Sequence, residues 1–424
     1  MTTTSPTPPA TGTGPDAPRR SRLGHWGSAV TTYYLLTGAT TLLVGFGLVM
    51  VLSSSSVVSL AKDDSPYAVF IQQAHNAIVG TVALLVASRL SVQFYKRIAW
   101  VALIGSAGLQ MLVFTPLGRG EGGNRNWLLL GPVIMQPSEV VKLALAIWLG
   151  VVLARKRHLL REWGHAVIPA VPVAILAIGT VLVGHDLGTA LVLCLIVAGA
   201  MFVAGVPMRI FALGALVAGA AVVTLVAVSP NRVGRIFAWL GDNCDGQGAC
   251  YQTKHGIWAL GSGGVGGLGL GASREKWSYL PAAHNDFIYA IIGEELGLVG
   301  TILVLLLFGA LAFAVVRLVT THPDPFVQIT SGAIGAWVIG QAFANIAVVI
   351  GLAPVIGLPL PLVSAGGSAL IMTMAAMGVL LAFARSEPGA AEALAARPSV
   401  VRRSLAVVSR PRRDRSTLEG RPRA

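Results

Sequence analysis

Charge is scarce in this chain, and aromatic residues are few. Of its 424 residues, 12% are charged and 7% are aromatic, whereas 54% are hydrophobic. This apolar fraction exceeds the roughly 45–50% that is typical of a soluble domain, and no segment resembles a soluble core. The alternating segments of about ten residues that build a membrane β-barrel are missing as well. Both classes are therefore excluded.

The chain instead contains many apolar runs of about 20 residues, the length that crosses a bilayer as a helix. The sequence therefore predicts an all-α polytopic membrane protein, in agreement with a mean hydropathy of +0.72. The eighth span is unusually long, which predicts a tilted or projecting helix. The ten predicted spans lie near 31–53, 74–90, 97–115, 137–154, 166–183, 187–205, 209–228, 285–316, 326–350 and 364–385.

Lysine and arginine placement predicts the orientation, because cytoplasmic loops collect positive charge. Basic residues precede the first span and follow the second, fourth and tenth spans. Both termini are then cytoplasmic, and the longest loop, between spans seven and eight, is outside. The net charge of +13 reflects this topology, so no nucleic-acid partner is needed to explain it.

Three parts are expected along the chain: a disordered cytoplasmic tail at 1–28, a ten-span domain at 29–385 and a basic disordered cytoplasmic tail at 386–424. The first span is interpreted as an uncleaved anchor. The C-terminal tail is either a disordered segment whose positive charge only reflects its cytoplasmic location, or a binding site for anionic lipid or a cytoplasmic partner.

The predicted outer loop contains two noteworthy motifs. In "CDGQGAC", Cys244 and Cys250 are candidates for a disulfide, which persists in an oxidising compartment; two free thiols are the alternative. The stretch "GSGGVGGLGLGAS" formally contains GxGxxG, but no strand precedes it, so a dinucleotide site is rejected. Its glycines are interpreted as positions of close backbone approach or as a flexible loop.

Ionisable residues inside or beside the spans are functional candidates by default. Glu139 and Lys142 share one helix face in the fourth span and can form an ion pair, catalytic or structural. Arg125 lies on a predicted outer loop. Asp186 is either an N-cap of the sixth span or a substrate contact. The proline-rich segment 345–368 is expected to line an outer cavity, since irregular backbone at membrane depth needs one.

Three carboxylates occur in "PAAHNDFIYAIIGEELG", at the start of the eighth span. If the helix begins at 285, Glu294 lies roughly 12 Å beyond Asp286 and Glu295 points almost opposite to it. The three therefore cannot act as a paired dyad. Both glutamates are expected to make structural hydrogen bonds. Asp286 is expected at the water-accessible mouth, as a catalytic group or as a helix cap.

Five motifs in this order resemble the shape, elongation, division and sporulation (SEDS) family, that of FtsW and RodA, over roughly residues 30–385. From the N-terminus they are "QPSEVVK", "HDLGTA", "SGGVGGLGLGAS", "YLPAAHNDFIYAIIGEELG" and "PLPLVSAGGS". The resemblance implies a peptidoglycan glycosyltransferase of the bacterial cytoplasmic membrane that polymerises lipid II. It also implies a class B penicillin-binding protein and other divisome membrane proteins as partners. "MVLSSSS" and the extended tails are more similar to the division members of the family than to the elongation members. This resemblance implies a location at the division septum.

The same resemblance assigns roles to single residues. The family's catalytic aspartate falls on Asp286, and its acid–base pair falls on Glu139 and Lys142. Three positions depart from the family pattern: Ala282 replaces an acidic residue, Ala365 replaces an aromatic residue or arginine, and His185 stands where many relatives have a proline before the residue that is Asp186 here. The further candidates for substrate binding are Arg125, Lys276, His284, Ser364, Gly366 and Gly367.

The implied chemistry needs one base, which deprotonates the attacking sugar hydroxyl, because pyrophosphate departs without a proton. The leaving group needs positive charge, from Arg125, Lys142, Lys276 or a divalent cation such as Mg²⁺ or Mn²⁺. No ligand cluster in the sequence specifies a metal. A lipid II flippase, a non-catalytic division scaffold and an elongation polymerase remain as alternatives.

Overall fold

The computed structural model of the protein describes residues 30–60, 65–121, 124–131, 133–228, 230–241, 250–277 and 280–395. The predicted N-terminal tail, Cys244 and the C-terminal tail beyond residue 395 lie outside these ranges. The described part holds the helices α1 (Thr31–Leu60), α2 (Ala68–Arg89), α3 (Val92–Met111), α4 (Pro137–Arg155), α5 (Trp163–Val167), α6 (Ala170–Val183), α7 (Leu187–Ala204), α8 (Met208–Ala227), α9 (Pro230–Leu240), α10 (Cys250–Gly263), α11 (Ile288–Thr321), α12 (Pro325–Val349), α13 (Gly367–Arg385) and α14 (Ala390–Ala395).

Ten spans within the described residues are long and apolar enough to cross a membrane, as the sequence predicts. One span combines α5 and α6; the others are α1 to α4, α7, α8 and α11 to α13. Most of α4, α12 and α13 is buried inside the bundle, whereas α8 is almost entirely exposed. An exposed apolar helix of this kind is suited to contact with lipid.

A small antiparallel sheet corrects the prediction that Arg125 lies on a loop. Strand β1 (Gly118–Glu121) pairs with β2 (Asn124–Leu130), and β2 pairs with β3 (Val133–Met135). Arg125 lies on β2, and its backbone N–H donates to the carbonyl oxygen of Gly184 at 2.9 Å. The strands connect α3 to α4 and bring this connection to the start of α7.

Polar contacts join the helix ends on the side of the bundle away from the small sheet. Lys96, near the start of α3, forms an ion pair of 2.6 Å with Asp324 at the start of α12. Arg317, in the last turns of α11, donates to the hydroxyl oxygen of Thr32 in α1 at 3.0 Å. These ends therefore lie on one face of the bundle, the face that carries the basic residues used above to predict orientation.

Helix α11 begins at Ile288, not at 285 as the sequence predicts, and its backbone is interrupted at Gly297. This residue has φ 64° and ψ −158°, a conformation that is essentially restricted to glycine. The interruption leaves the carbonyl oxygens of Glu294 and Glu295 free to accept bonds from Leu268 and Gly269, both at 2.9 Å. The long span predicted from the sequence is thus one helix with an internal break that holds another segment.

That segment is the glycine-rich stretch, and its glycines allow close backbone approach. A Cβ atom at Gly263 or Gly267 would collide with the backbone of Gly293 or Glu295. Helix α10, not a strand, precedes the stretch, so the strand that a dinucleotide-binding GxGxxG motif requires is not found there. Close approach, one of the two interpretations above, is therefore the correct one.

The side chains of Glu294 and Glu295 stabilise the same region, as predicted. The carboxylate of Glu294 accepts from the Arg274 backbone N–H at 2.8 Å and from the Ser273 hydroxyl. Glu295 is fully buried and forms an ion pair of 3.1 Å with Lys276. The ammonium of Lys276 also donates to the carbonyl oxygen of Gly271 at 2.7 Å. The contacts of Lys276 are therefore those of a buried structural ion pair with Glu295.

Candidate functional site

Asp286 lies in the turn of residues 281–287, immediately before α11. Its carbonyl oxygen accepts from the side-chain amide of Asn345 at 2.7 Å, and the same amide donates to the carbonyl oxygen of Leu358 at 2.7 Å. Asn345 in α12 therefore clamps the Asp286 turn to residues 351–366, the part of the proline-rich segment that lies between α12 and α13. Asn345 was not among the residues predicted from the sequence, although a polar residue inside an apolar span is a recognisable signal.

The Asp286 carboxylate does not cap the helix. The N-cap of α11 is Phe287, and no side-chain hydrogen bond caps this helix. The cap alternative is therefore wrong. The helical projection that relates Asp286 to Glu294 is wrong as well, since Asp286 precedes the helix. Within the part of the chain that the structure describes, the carboxylate of Asp286 accepts no hydrogen bond.

Gly357 in the proline-rich segment faces this carboxylate, and the space between this segment and the Asp286 turn is here called the cleft. A Cβ atom at Gly357, which has φ +78°, would lie 3.6 Å from Oδ2 of Asp286. Because Gly357 carries no side chain, the space in front of the carboxylate stays open. The proline-rich segment thus forms the second wall of the cleft, and the outer cavity expected along it stays a prediction.

Hydrogen bonds fasten this wall to the Asp286 turn. The Ser364 hydroxyl donates to the carbonyl oxygen of Asn285 at 2.7 Å, and the Ala365 N–H donates to that of His284 at 3.0 Å. The Gly366 N–H donates to the side-chain oxygen of Gln73 in α2 at 3.2 Å. The motif residues therefore fix the shape of the cleft.

Gly367, the first residue of α13, lies against the Asn76 side chain: a Cβ there would be 3.4 Å from Asn76 Nδ2. The structure thus brings Ser364, Gly366 and His284 together with Asp286 and places Gly367 next to them. Direct substrate contact by these four residues stays a prediction.

Two non-glycine residues beside the cleft have left-handed backbone. They are Ala282 in the Asp286 turn, with φ 54°, and Leu362 in the facing wall, with φ 64°. Such residues cost free energy and persist where the surrounding structure over-determines them, commonly at functional sites. Both walls of the cleft therefore contain strained backbone held in place by the hydrogen bonds above.

The electrostatics of the cleft single out Asp286. Burial raises the pKa of its carboxyl from the ordinary 3.8 to about 6, against the opposing effect of the Arg235 guanidinium. Arg235 lies on α9, is exposed, and donates to the carbonyl oxygen of Val355 at 3.4 Å. Arg235 was not predicted from the sequence, because nothing in the sequence shows that α9 folds back over the proline-rich segment.

The predicted Glu139–Lys142 pair is present, with 2.7 Å between Lys142 Nζ and Glu139 Oε1, and both side chains are almost fully buried. The ammonium also lies 5.3 Å from the centre of the Trp337 ring. Trp337 donates to Gln341 at 3.1 Å, and Gln341 donates to the carbonyl oxygen of Pro359 at 2.9 Å. The pair thus supports the proline-rich wall from inside the bundle, through α12, and no hydrogen bond among the described residues joins it to Asp286.

Asp186 is an N-cap, one of the two roles considered for it. Its Oδ1 accepts from the backbone N–H of Thr189 at 2.9 Å, in the first turn of α7. Its Oδ2 accepts from the side chains of Gln136 at 2.9 Å and Asn126 at 3.0 Å. Asp186 therefore joins α7 to the small sheet and to the start of α4.

The other candidates lie further from the centre of the cleft. Arg125 is exposed, and its guanidinium donates to the carbonyl oxygen of Thr115 at 2.8 Å. Cys250, at the start of α10, is buried and disulfide-bonded. Its proposed partner Cys244 lies outside the described residues, so that pairing stays a prediction. Among the described residues no group of three His, Cys, Asp or Glu side chains could hold a metal ion.

The fold and the site define a class: a polytopic helical membrane protein with a polar cleft at one end of the bundle. Among the described residues of this cleft, Asp286 is the carboxylate that faces Gly357. The chain belongs to the FtsW/RodA/SpoVE family of cell cycle proteins, whose model matches residues 33–388.

Similar proteins include the probable peptidoglycan glycosyltransferase FtsW of Mycobacterium tuberculosis. It is 40% identical over 382 residues, which cover 89% of this chain and 72% of the relative. Stage V sporulation protein E of Bacillus subtilis is 34% identical over 83% of this chain and 96% of its own length. The crystal structure of Thermus thermophilus RodA aligns at 27% identity with a TM-score of 0.63, over 84% of this chain and 97% of RodA.

Proposed function

We propose that this protein is a peptidoglycan glycosyltransferase that polymerises lipid II during cell division, with Asp286 as the general base. The observation that carries the proposal is the carboxylate of Asp286, which lies in the cleft without a hydrogen-bond partner among the described residues. Family membership and relatives named FtsW support the activity and the division role.

The raised pKa of Asp286 suits a general base. Its carboxyl has a pKa of about 6, so it is ionised at neutral pH yet more basic than an ordinary aspartate. A base whose pKa lies near the operating pH is the most effective, and general base catalysis contributes typically 10²–10⁴-fold. Asp286 would take the proton from the sugar hydroxyl as that oxygen attacks the anomeric carbon. Pyrophosphate would leave from the opposite side, with inversion at that carbon.

The departing pyrophosphate needs a cation, and Arg235 is the best placed. It lies close enough to Asp286 to lower the pKa of that carboxyl, and it is exposed. Lys142 and Lys276, in contrast, are held in buried ion pairs. Arg125 remains as a second exposed candidate on the sheet. A divalent cation stays a prediction.

The cleft would open to the outside of the cytoplasmic membrane, where lipid-linked sugars reach it. The support is the basic face at the other end of the bundle, since cytoplasmic segments collect positive charge. Single cysteines at Lys254 and Lys156 test this orientation in a variant without native cysteines. An impermeant thiol reagent should label position 254 in intact spheroplasts and position 156 only after lysis; the reverse pattern would refute the orientation.

A class B penicillin-binding protein is the partner that we propose, and the septum is the proposed location. A solved structure titled "Structural coordination of polymerization and crosslinking by a peptidoglycan synthase complex" contains a chain similar to this one. The two chains are 28% identical, with a TM-score of 0.67, over 82% of this chain and 96% of that chain. Such a partner would cross-link the strands that this protein makes.

The decisive experiment is reconstitution of the purified protein with lipid II, alone and with the partner. Glycan polymer is the expected product. Transfer of the headgroup across liposome membranes without polymer would refute the polymerase assignment and favour a flippase. The presence of neither activity with the partner bound would favour a scaffold.

A further inference from the structure

A cavity lies at the basic end of the bundle, between α3, α4 and α12. Its volume is about 270 Å³. The cavity lies at the other end of α4 from the Asp186 contacts. Helix α4 begins beside those contacts and reaches the cavity only in its last turns. The residues that line it are Lys96, Val151, Ala154, Arg155, Asp324, Pro325 and Phe326.

The charged groups of this cavity are unevenly paired. Lys96 is held by Asp324 at 2.6 Å and lies 5.4 Å from the centre of the Phe326 ring. Arg155 is exposed, and it makes no hydrogen bond or ion pair within the described ranges. Two cations and one carboxylate leave the cavity with a net positive charge.

The walls between these charges are apolar. Val151 and Phe326 are buried against the bundle, and Pro325 forms the first turn of α12. The cavity also lies at the ends of three spanning helices, the depth at which phospholipid headgroups are found. A basic pocket between spanning helices on the cytoplasmic side is the type of site that binds anionic lipid headgroups.

We infer that this cavity binds the phosphate of an anionic phospholipid from the leaflet on the basic side of the bundle. Arg155 contacts the phosphate directly, and Lys96 contributes its charge from the Asp324 pair. The apolar wall receives the glycerol and the first carbons of an acyl chain. This site is separate from the proposed catalytic cleft and does not depend on the proposed activity.

Two substitutions with opposite expected effects test the assignment. Arg155→Gln removes the unpaired cation, and we expect the affinity for anionic lipid to fall about fivefold. Asp324→Asn removes the opposing carboxylate and releases Lys96, so we expect affinity to rise by a similar factor. Asparagine still accepts from an N–H at a helix start, so the bond from Phe326 that caps α12 is retained. Arg97→Gln is the matched control, because Arg97 is exposed next to Lys96 but does not line the cavity.

The measurement is native mass spectrometry of the full-length protein in detergent, titrated with phosphatidylglycerol, with phosphatidylcholine and with inorganic phosphate. Saturable binding of phosphatidylglycerol in preference to phosphatidylcholine, with opposite shifts in the two cavity variants and none in Arg97→Gln, supports the site. A fall in affinity in Arg97→Gln equal to that in Arg155→Gln would reveal only diffuse surface charge and overturn the site. Inorganic phosphate that displaces phosphatidylglycerol at similar concentration would overturn the lipid assignment. Melting temperatures verify that each variant is folded.

Discussion

Replacing Asp286 by asparagine should abolish polymerisation while it stabilises the protein. The folded state raises the pKa of this carboxyl from 3.8 to about 6, a difference of about two pKa units. At about 1.4 kcal/mol per unit, the charged carboxylate costs the fold up to about 3 kcal/mol at neutral pH. Partial exposure reduces this figure, so about 1–3 kcal/mol is the expected gain from a neutral side chain.

The sign of the pH dependence follows from the same shift. Between about pH 4 and 6 the folded state binds more protons at this site than the unfolded state does. The wild-type protein should therefore lose this part of its stability as pH rises through that window. Asp286→Asn should lack this loss, because it carries no proton to release.

The assay combines lipid II polymerisation by purified variants with their melting temperatures at several pH values. We expect Asp286→Asn and Asp286→Ala to lose activity by orders of magnitude and Asp286→Asn to melt higher than wild type at neutral pH. A folded Asp286→Asn protein that polymerises at nearly the wild-type rate would refute the base assignment. Glu139 would then be the next carboxylate to test.

Three further predictions concern the surroundings of the site. Arg235 lowers the pKa of the Asp286 carboxyl, so in Arg235→Gln the ascending limb of kcat/KM against pH should move above its expected midpoint near 6. An unmoved limb would contradict this. Glu139→Gln or Lys142→Met alone should cost about 3–5 kcal/mol in thermal unfolding, and the double variant should recover much of it; simple addition of the two losses would count against the pair. Gly297→Ala should lower the melting temperature, because of its φ of 64° and its contact with the glycine-rich stretch, whereas Gly309→Ala in the same helix has open space and should not; equal effects would argue against a strained break.

The spans could be predicted from sequence because bilayer thickness sets their length and the apolar requirement sets their composition. The Asp186 cap and the Glu139–Lys142 pair were also accessible, since each depends on residues three apart on one helix. The structural role of Glu294 and Glu295 followed from their depth in an apolar run.

Other features depend on contacts between distant segments, which no local pattern specifies. The three short strands at 118–135 pair within a connection that is hydrogen-bonded to Gly184, just before α7. The start of α11 was misplaced by three residues, since the Asn345 bond to the Asp286 carbonyl holds the preceding turn out of the helix. Arg235 reaches the cleft because α9 returns over the proline-rich segment, where Trp239 also donates to the carbonyl oxygen of Gly351 at 2.8 Å.

The carboxylates of this region can be sorted by their partners. Glu294 accepts from backbone N–H groups, Glu295 is paired with Lys276, and Asp186 caps α7, so each has its burial cost offset by a defined contact. Asp286 is the exception among these four carboxylates. Its desolvation raises its pKa, and no hydrogen bond within the described residues offsets that desolvation. A partly buried carboxylate with a raised pKa is typical of functional sites and calls for an explanation. A ligand hydroxyl that enters the cleft opposite Gly357 would supply the missing hydrogen bond, and its proton is the one that the proposed reaction removes.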